Sequence, residues 1–278
     1  MQKHEKPRMH MQIIEVSGEK VPLFTNLPVI QLYNEALDLR SFAWNLAIRA
    51  WQHEMGGIPN AAYNGPGFEK AMSMYSTFKS ASYHLVEEVP GLKSKKSYTR
   101  DRKKILSSSE KEEKARTMLK DALKDKDRYA HAVGVNPLAS IGSFEIDSIE
   151  VPVYGTPSTD QLMRDALHLR RTSWNMVVRS YLQGMGLDPD YHGHDFKEAA
   201  SNYDYLRYAT STLIVEGLVI FNRNLASIKD RVGEEDGKQD RIIRVMKRNL
   251  EQNALDAQAG PDTPEPGPEL LPPLGSPN

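Results

Sequence analysis

The run QLYNEALDLRSFAWNLAIRAWQHEMG at 31–56 and the run QLMRDALHLRRTSWNMVVRSYLQGMG at 161–186 decide how this chain is read. They lie 130 positions apart and agree without a gap at 11 of 26 positions. Leu39-Arg40 matches Leu169-Arg170, Trp44-Asn45 matches Trp174-Asn175, and Arg49 matches Arg179. Unrelated helices of ordinary composition share far less, so the chain is read as an internal duplication.

The agreement extends beyond the helix. Upstream, Val21-Pro22-Leu23-Phe24 faces Val151-Pro152-Val153-Tyr154 at the same spacing. Downstream, after a two-residue slip, Tyr63, Gly65, Phe68, Ala71, Tyr75 and Ala81 face Tyr191, Gly193, Phe196, Ala199, Tyr203 and Ala209. Each unit reads as strand, turn, strand, helix, short loop, helix.

Apolar residues recur at helical spacing on the long helix (Leu32, Leu39, Leu46, Ala50; Leu162, Leu169, Val177). A second stripe (Leu37, Trp44, Ile48, Trp51; Leu167, Trp174, Val178, Tyr181) makes it apolar on much of its circumference, hence buried between layers. Ser158 and Asp195 are N-cap residues, and Gly56-Gly57 and Gly186 are stop signals. Met9 to Val16 alternates weakly, Ser17 to Lys20 has turn chemistry, and Val21 to Phe24 returns. A hairpin alone is marginal, so the strands of both units are expected to share one small antiparallel sheet or barrel.

The expected fold is α+β and mostly helical. Residues 1–135 form the first unit with a basic insert at 91–130, and residues 136–232 form the second copy. In the insert a helix is expected from about Ser109 to Tyr129, and in the second copy the last helix is expected to reach about Arg231. After a solvated linker at Gly233 to Gly237 comes a basic C-terminal helix, giving a segment at 233–254, and 255–278 is a Pro-rich acidic tail expected to be disordered.

Hydrophobic content of 39% and charged content of 26% are those of a globular protein. The net charge of −1 conceals a gradient: 22 Lys/Arg against 16 Asp/Glu in 1–135, and 14 against 21 in 136–278. No apolar run is long enough to span a membrane and the N-terminus is polar, so a cytoplasmic protein is expected. Zero cysteines exclude disulfides, thiol nucleophiles, thiolate zinc sites and iron–sulfur clusters.

Candidate binding residues fall into three groups. Trp44 and Trp174 could stack a base or simply support the core, and Arg40, Arg49, Arg170 and Arg179 on the same helices could position a phosphate backbone. Lys93, Lys95, Lys96, Arg100, Arg102, Lys103 and Lys104, with Tyr98 interleaved, carry a net +6 in twelve residues, an electrostatic footprint for phosphate. Arg241, Arg244 and Arg248 form a second basic face. Asp188, Asp190, His192, His194 and Asp195 have the side chains of a metal site, but the first unit has Ile58, Asn60, Asn64, Pro66 and Gly67 there, so no metal and no cofactor is expected. No phosphate-cradling glycine loop, nucleophile elbow or metalloprotease helix is present, and a non-enzymatic protein is expected.

The order hairpin, Pro, helix with Leu39-Arg40 then Trp44-Asn45, polar loop and second helix resembles the N-terminal wedge and recognition region of TnpB-like transposon-encoded RNA-guided nucleases. Leu169-Arg170-Arg171-Thr172-Ser173-Trp174-Asn175 is the closer copy, and Leu206 to Ser227 looks like the following helix of that lobe. The resemblance covers roughly 80 residues per unit. It implies contact with guide RNA or an RNA–DNA duplex through shape and backbone. The nuclease chemistry does not carry over: the expectation is a chain that ends before a RuvC-like domain, it lacks cysteines for a zinc ribbon, and the unit occurs twice.

The functional expectation is a non-catalytic protein that binds RNA or an RNA–DNA duplex, accessory to an RNA-guided or mobile-element system with a separate nuclease or effector subunit as a further partner. The alternative is a scaffold protein of a phage or mobile element without nucleic acid. An enzyme whose site is assembled only in three dimensions is the third class, to be recognised by clustered carboxylates or histidines.

Overall fold

Two hairpins are closed by the same device. Strands β1 (Met11–Val16) and β2 (Glu19–Phe24) pair antiparallel, as do β3 (Gly142–Ile146) and β4 (Ile149–Val153). Each turn has two central residues, and all four have positive φ: Ser17 at 49°, Gly18 at 80°, Asp147 at 46° and Ser148 at 64°. That geometry matches the right-handed twist of the flanking strands. The computed structural model describes residues 9–58, 63–88, 96–134, 142–214 and 226–259, without the side chains of 86–88, 96–109, 134, 226–232, 235 and 259.

Helices make up most of the described residues. They are α1 (Val29–Glu54), α2 (Phe68–Glu88), α3 (Lys96–Lys124), the single turn α4 (Lys126–Tyr129), α5 (Thr159–Gly184), α6 (Phe196–Thr212) and α7 (Ala226–Ala259). Ser158 caps α5 by accepting from the Gln161 amide, and Asp195 caps α6 through the Glu198 amide. Both long helices end in the same paired bonds. The Gly56 and Gly57 amides donate to His53 and Gln52, and those of Gly186 and Leu187 donate to Gln183 and Leu182. The left-handed φ of Gly56 (85°) and Gly186 (74°) makes these caps possible.

The mostly helical α+β expectation holds, with a difference in the sheets. The hairpins do not share a sheet or barrel; among the described residues they form two separate two-stranded sheets. Each is instead stabilised by lying on helices from the other half of the chain. Val16, Val21 and Phe24 of the first hairpin are buried with Trp174, Val177 and Tyr181 of α5, Tyr203 of α6 and Ile242 and Met246 of α7. Ile146 and Val151 of the second hairpin join the larger cluster with Trp44 and Trp51 of α1, Phe78 of α2 and Leu119 of α3. The packed bodies are therefore not the contiguous segments 1–135 and 136–232. One combines α1–α3 with β3 and β4, the other α5–α7 with β1 and β2. Packing of α1 on α5 and of α2 on α6 joins them.

The third helices also correspond. Glu112, Ala115 and Leu119 are buried positions of α3, and Gln239, Ile242 and Met246 are those of α7, at a constant spacing of 127. The segment expected as a divergent insert thus holds the same place in its body as the C-terminal helix does in the other. The helix of that segment starts at Lys96 rather than Ser109, and α7 runs through the expected linker Gly233 to Gly237. Each glycine costs about 1 kcal/mol in a helix interior. The ion pair of Arg170 with Asp236 and the bond of Tyr203 to Gln239 on the next turn offset that cost. Helix α6 is described to Thr212, and residues 215–225 on its expected course to Arg231 lie outside the described residues; α7 continues to Ala259, past the expected start of the tail, and residues 260–278 likewise lie outside the described residues. Among the described residues no helix is long and apolar enough to cross a membrane.

Candidate nucleic-acid interface

The Trp-Asn pairs are anchors for the exchanged hairpins. Trp44 and Trp174 are both 0% exposed, and their indole N–H groups donate to the carbonyls of Pro152 and Pro22, each at 2.7 Å. Asn175 does what a neighbouring strand would do. Its Oδ1 accepts from the Phe24 amide at 2.8 Å and its Nδ2 donates to the Phe24 carbonyl at 2.6 Å. Asn45 repeats this on Tyr154, at 3.2 Å and 2.7 Å. Even the outer partners match: Asn45 Nδ2 reaches Thr156 and Asn175 Nδ2 reaches Asn26, both at 3.1 Å. With their rings enclosed, the tryptophans support the core and present no face for a base. At about 25 cal/mol per Å2, each buried indole contributes on the order of 5 kcal/mol.

Arg40 and Arg170 are likewise internal. Arg40 pairs with Glu112, which also accepts from the Tyr75 hydroxyl and, at 2.8 Å, from the Tyr154 hydroxyl on the exchanged hairpin. Burial works against the Arg40 charge, and Glu112 with Tyr75 more than offsets it, holding its pKa above the ordinary value. Burial, reinforced by the Glu112 charge, pushes the Tyr75 hydroxyl up. In the other body Arg170 pairs with Asp236 and donates to Ser211 at 3.1 Å. These arginines neutralise internal carboxylates and offer nothing to a phosphate.

Arg179 is held by Asp188 at 2.8 Å and lies over the Tyr191 ring at 5.1 Å. Arg49 is half-buried beside Tyr63, the matching tyrosine, whose hydroxyl burial pushes up to about 12. Asp188 is thereby occupied, Asp195 caps α6, and His194 meets Glu198 at 2.5 Å. Among the described residues no group of three or more His, Asp or Glu is placed to hold a metal ion.

Of the basic run, Lys93 and Lys95 lie outside the described residues. Lys96, Tyr98, Arg100, Arg102, Lys103 and Lys104 fall on the first turns of α3, with their side chains outside the description. The second basic face is in view. Arg241, Arg244, Lys247 and Arg248 lie along the outer side of α7, and Lys238 extends them by one turn. Arg241 reaches Glu19 of the first hairpin at 2.8 Å and Lys247 approaches Glu251 at 3.9 Å. Arg244 and Arg248 make no ion pair among the described residues. On α3 the equivalent positions are Thr117 and Asp121, so the fold does not require cations there.

Sequence reading missed Lys238, placed next to the supposed linker, and a buried polar cluster where α1 crosses α5. Glu35 (5% exposed) and Asp165 (0%) occupy matching positions, each preceded four residues earlier by a glutamine that donates to it. His168 Nδ1 lies 2.9 Å from Glu35 Oε1. One oxygen of each carboxyl, Glu35 Oε2 and Asp165 Oδ2, has no hydrogen-bond partner among the described residues. Burial and the Glu35 charge push Asp165 up to about 7. The signal was available: a Glu and an Asp at one register position of two otherwise apolar faces. Such a pair has acid–base character, and both of its carboxyls are buried. Comparison with known protein families, curated protein sequences and solved structures returns no match for this chain.

Proposed function

We propose that the protein binds nucleic acid without chemically altering it, through phosphate contacts on the outer face of α7. The observation that carries this is the pair Arg244 and Arg248, which make no ion pair among the described residues and are flanked by Lys238, Arg241 and Lys247, while Arg40 and Arg170 serve the interior and Arg179 is held by Asp188. Arg241, Arg244 and Arg248 on one helical face, with Lys238 and Lys247 at its margins, create a field that phosphate neutralises with release of counterions. The basic run from Lys93 to Lys104 adds charge to the first body. RNA or an RNA–DNA duplex is the proposed ligand, in keeping with the resemblance of α1 and α5 to the recognition region of RNA-guided nucleases. A cytoplasmic role accessory to a separate nuclease or effector subunit accompanies this reading.

The test is equilibrium binding of the full chain to RNA and to duplex DNA across salt concentrations. Affinity should fall steeply with salt, and Arg244→Ala with Arg248→Ala should lower both affinity and the salt slope by roughly 0.7–0.9 per lost phosphate contact. A protein that ignores RNA and DNA at low salt, yet holds a protein partner at high salt, would put the scaffold reading in its place.

A further inference from the structure

The first hairpin has two unlike edges. In a two-residue turn the flanking residues are a bonded pair, here Val16 and Glu19. At the other end the Thr25 amide donates to the His10 carbonyl at 2.8 Å. Bonded and non-bonded pairs alternate along an antiparallel ladder, so the even-numbered residues of β1 bond inward to β2. Met11, Ile13 and Glu15 aim their amides and carbonyls away from the hairpin. Their cross-strand neighbours obey the same alternation: Pro22, opposite Ile13, has no amide to give, and Phe24, opposite Met11, directs both its groups to Asn175.

Trp174 and Asn175 thus occupy the β2 edge, holding Pro22 and Phe24. Along the β1 edge the main-chain groups of Met11, Ile13 and Glu15 have no hydrogen-bond partner among the described residues. The side chains of Met11 and Ile13 are 60% and 52% exposed. Lysine, proline or a bulge commonly blunts such an edge. Here its middle position is an isoleucine.

The second hairpin shows that the fold does not ask for an apolar residue there. Its inner positions repeat those of the first, Ile146 for Val16 and Val151 for Val21, all buried. The counterpart of Ile13 is Ser143, also exposed.

We propose that the β1 edge is a contact between two copies of this chain, in which β1 pairs antiparallel with the partner's β1 about a two-fold axis beside Ile13. The register points to a second copy as the occupant. Centred there, Ile13 faces the partner's Ile13 and Met11 faces the partner's Glu15, and each of these outward pairs exchanges both main-chain bonds. No like charges meet, and Glu15 keeps Lys20 across its own hairpin. A centre at Glu15 would instead set two carboxylates opposite one another. The product is one antiparallel sheet running through both copies, with Pro22 and Ile13 of each forming an apolar row across it. A strand edge buries far less than the ~1,600 Å2 of a tight complex, so the association is weak and depends on concentration.

The test is sedimentation of the full chain, freed of nucleic acid, across micromolar concentrations, with amide hydrogen exchange on the same samples. The average mass should rise with concentration toward that of a dimer. The Met11, Ile13 and Glu15 amides should slow in step, while those of Ile14 and Val21, bonded inside the hairpin, hold constant. Ile13→Lys sets two ammonium groups face to face and should weaken association by about tenfold or more. Ile13→Pro removes an amide that the hairpin leaves unused and should weaken it as well. Unchanged protection of Ile14 and Val21 verifies that the hairpin stands in both variants. A monomer at every concentration, or a dimer that both variants leave intact, overturns the proposal. So does a dimer in which the Met11, Ile13 and Glu15 amides exchange as fast as in the monomer.

Discussion

The indole N–H of Trp174 donates to the carbonyl of Pro22 at 2.7 Å, joining residues separated by 152 positions of sequence. Trp44 does the same to Pro152. Both partners of one contact lie 130 positions from those of the other, so each hairpin crosses to the long helix of the other half. The exchange makes each half of the chain the completion of the other's core.

Trp174→Phe keeps most of the apolar volume but leaves the Pro22 carbonyl without its donor, a loss of about 1–3 kcal/mol. The effect should be local. Hydrogen exchange of the Val21 and Phe24 amides should accelerate while that of Val151 and Val153 holds. Trp44→Phe should give the mirror result, and a variant that loosens both hairpins equally would contradict the exchange.

Arg40→Met strands Glu112, whose side chain is only 2% exposed, and should cost about 3–5 kcal/mol in urea unfolding. Arg170→Met should cost visibly less. Its partner Asp236 has 24% of its side chain exposed and can recruit water. Adding Glu112→Leu to Arg40→Met should recover much of the loss, because the uncompensated buried charge is then gone.

How much of this is legible beforehand follows from symmetry. The helices, their caps and their stop glycines carry local signals, since Ser158, Asp195, Gly56 and Gly186 act on neighbouring amides. Which hairpin lies on which helix has no such signal. Trp44 and Trp174 present the same chemistry to Pro22 and Pro152, so own-half and cross-half docking look alike in sequence. The segment from Gly233 to Gly237 misleads for a different reason. Two glycines around three acids resemble a solvated linker until the Arg170 that pairs with Asp236 is known. Arg40 and Arg170 themselves look like ligand contacts because their counter-ions lie 72 and 66 residues away.

The Asp165 carboxyl gives the protein a pH dependence opposite to the usual acid denaturation. Its folded pKa, raised to about 7 from an ordinary 3.8 by burial and the Glu35 charge, means the folded state holds more protons between these values. Its contribution is thus complete below the unfolded pKa and is lost as pH rises through about 7, a change on the order of a few kcal/mol. Urea midpoints should fall between about pH 5 and about pH 8. Asp165→Asn should flatten that slope; a variant with the wild-type slope would assign it to another group.

The exchange also predicts how the chain behaves when cut in the link between α4 and β3. Residues 1–135 expressed alone contain α1–α3 without the hairpin whose Val151 and Ile146 fill their core, and their own hairpin has no Trp174 to lie on. Residues 136–259 face the same deficit. Each piece should be expanded and bind a hydrophobic dye, with weak near-ultraviolet circular dichroism from Trp44 and Trp51 in the first and Trp174 in the second. Mixed in equal amounts, they should form a one-to-one complex that restores the spectrum, because the missing surface of each is the hairpin of the other. Trp174→Ala in the second piece should weaken that association by on the order of 3–5 kcal/mol, read directly by titration calorimetry. Two pieces that fold separately and ignore one another would show that each hairpin can return to its own helix, and the crossed arrangement would then be one of two equivalent dockings.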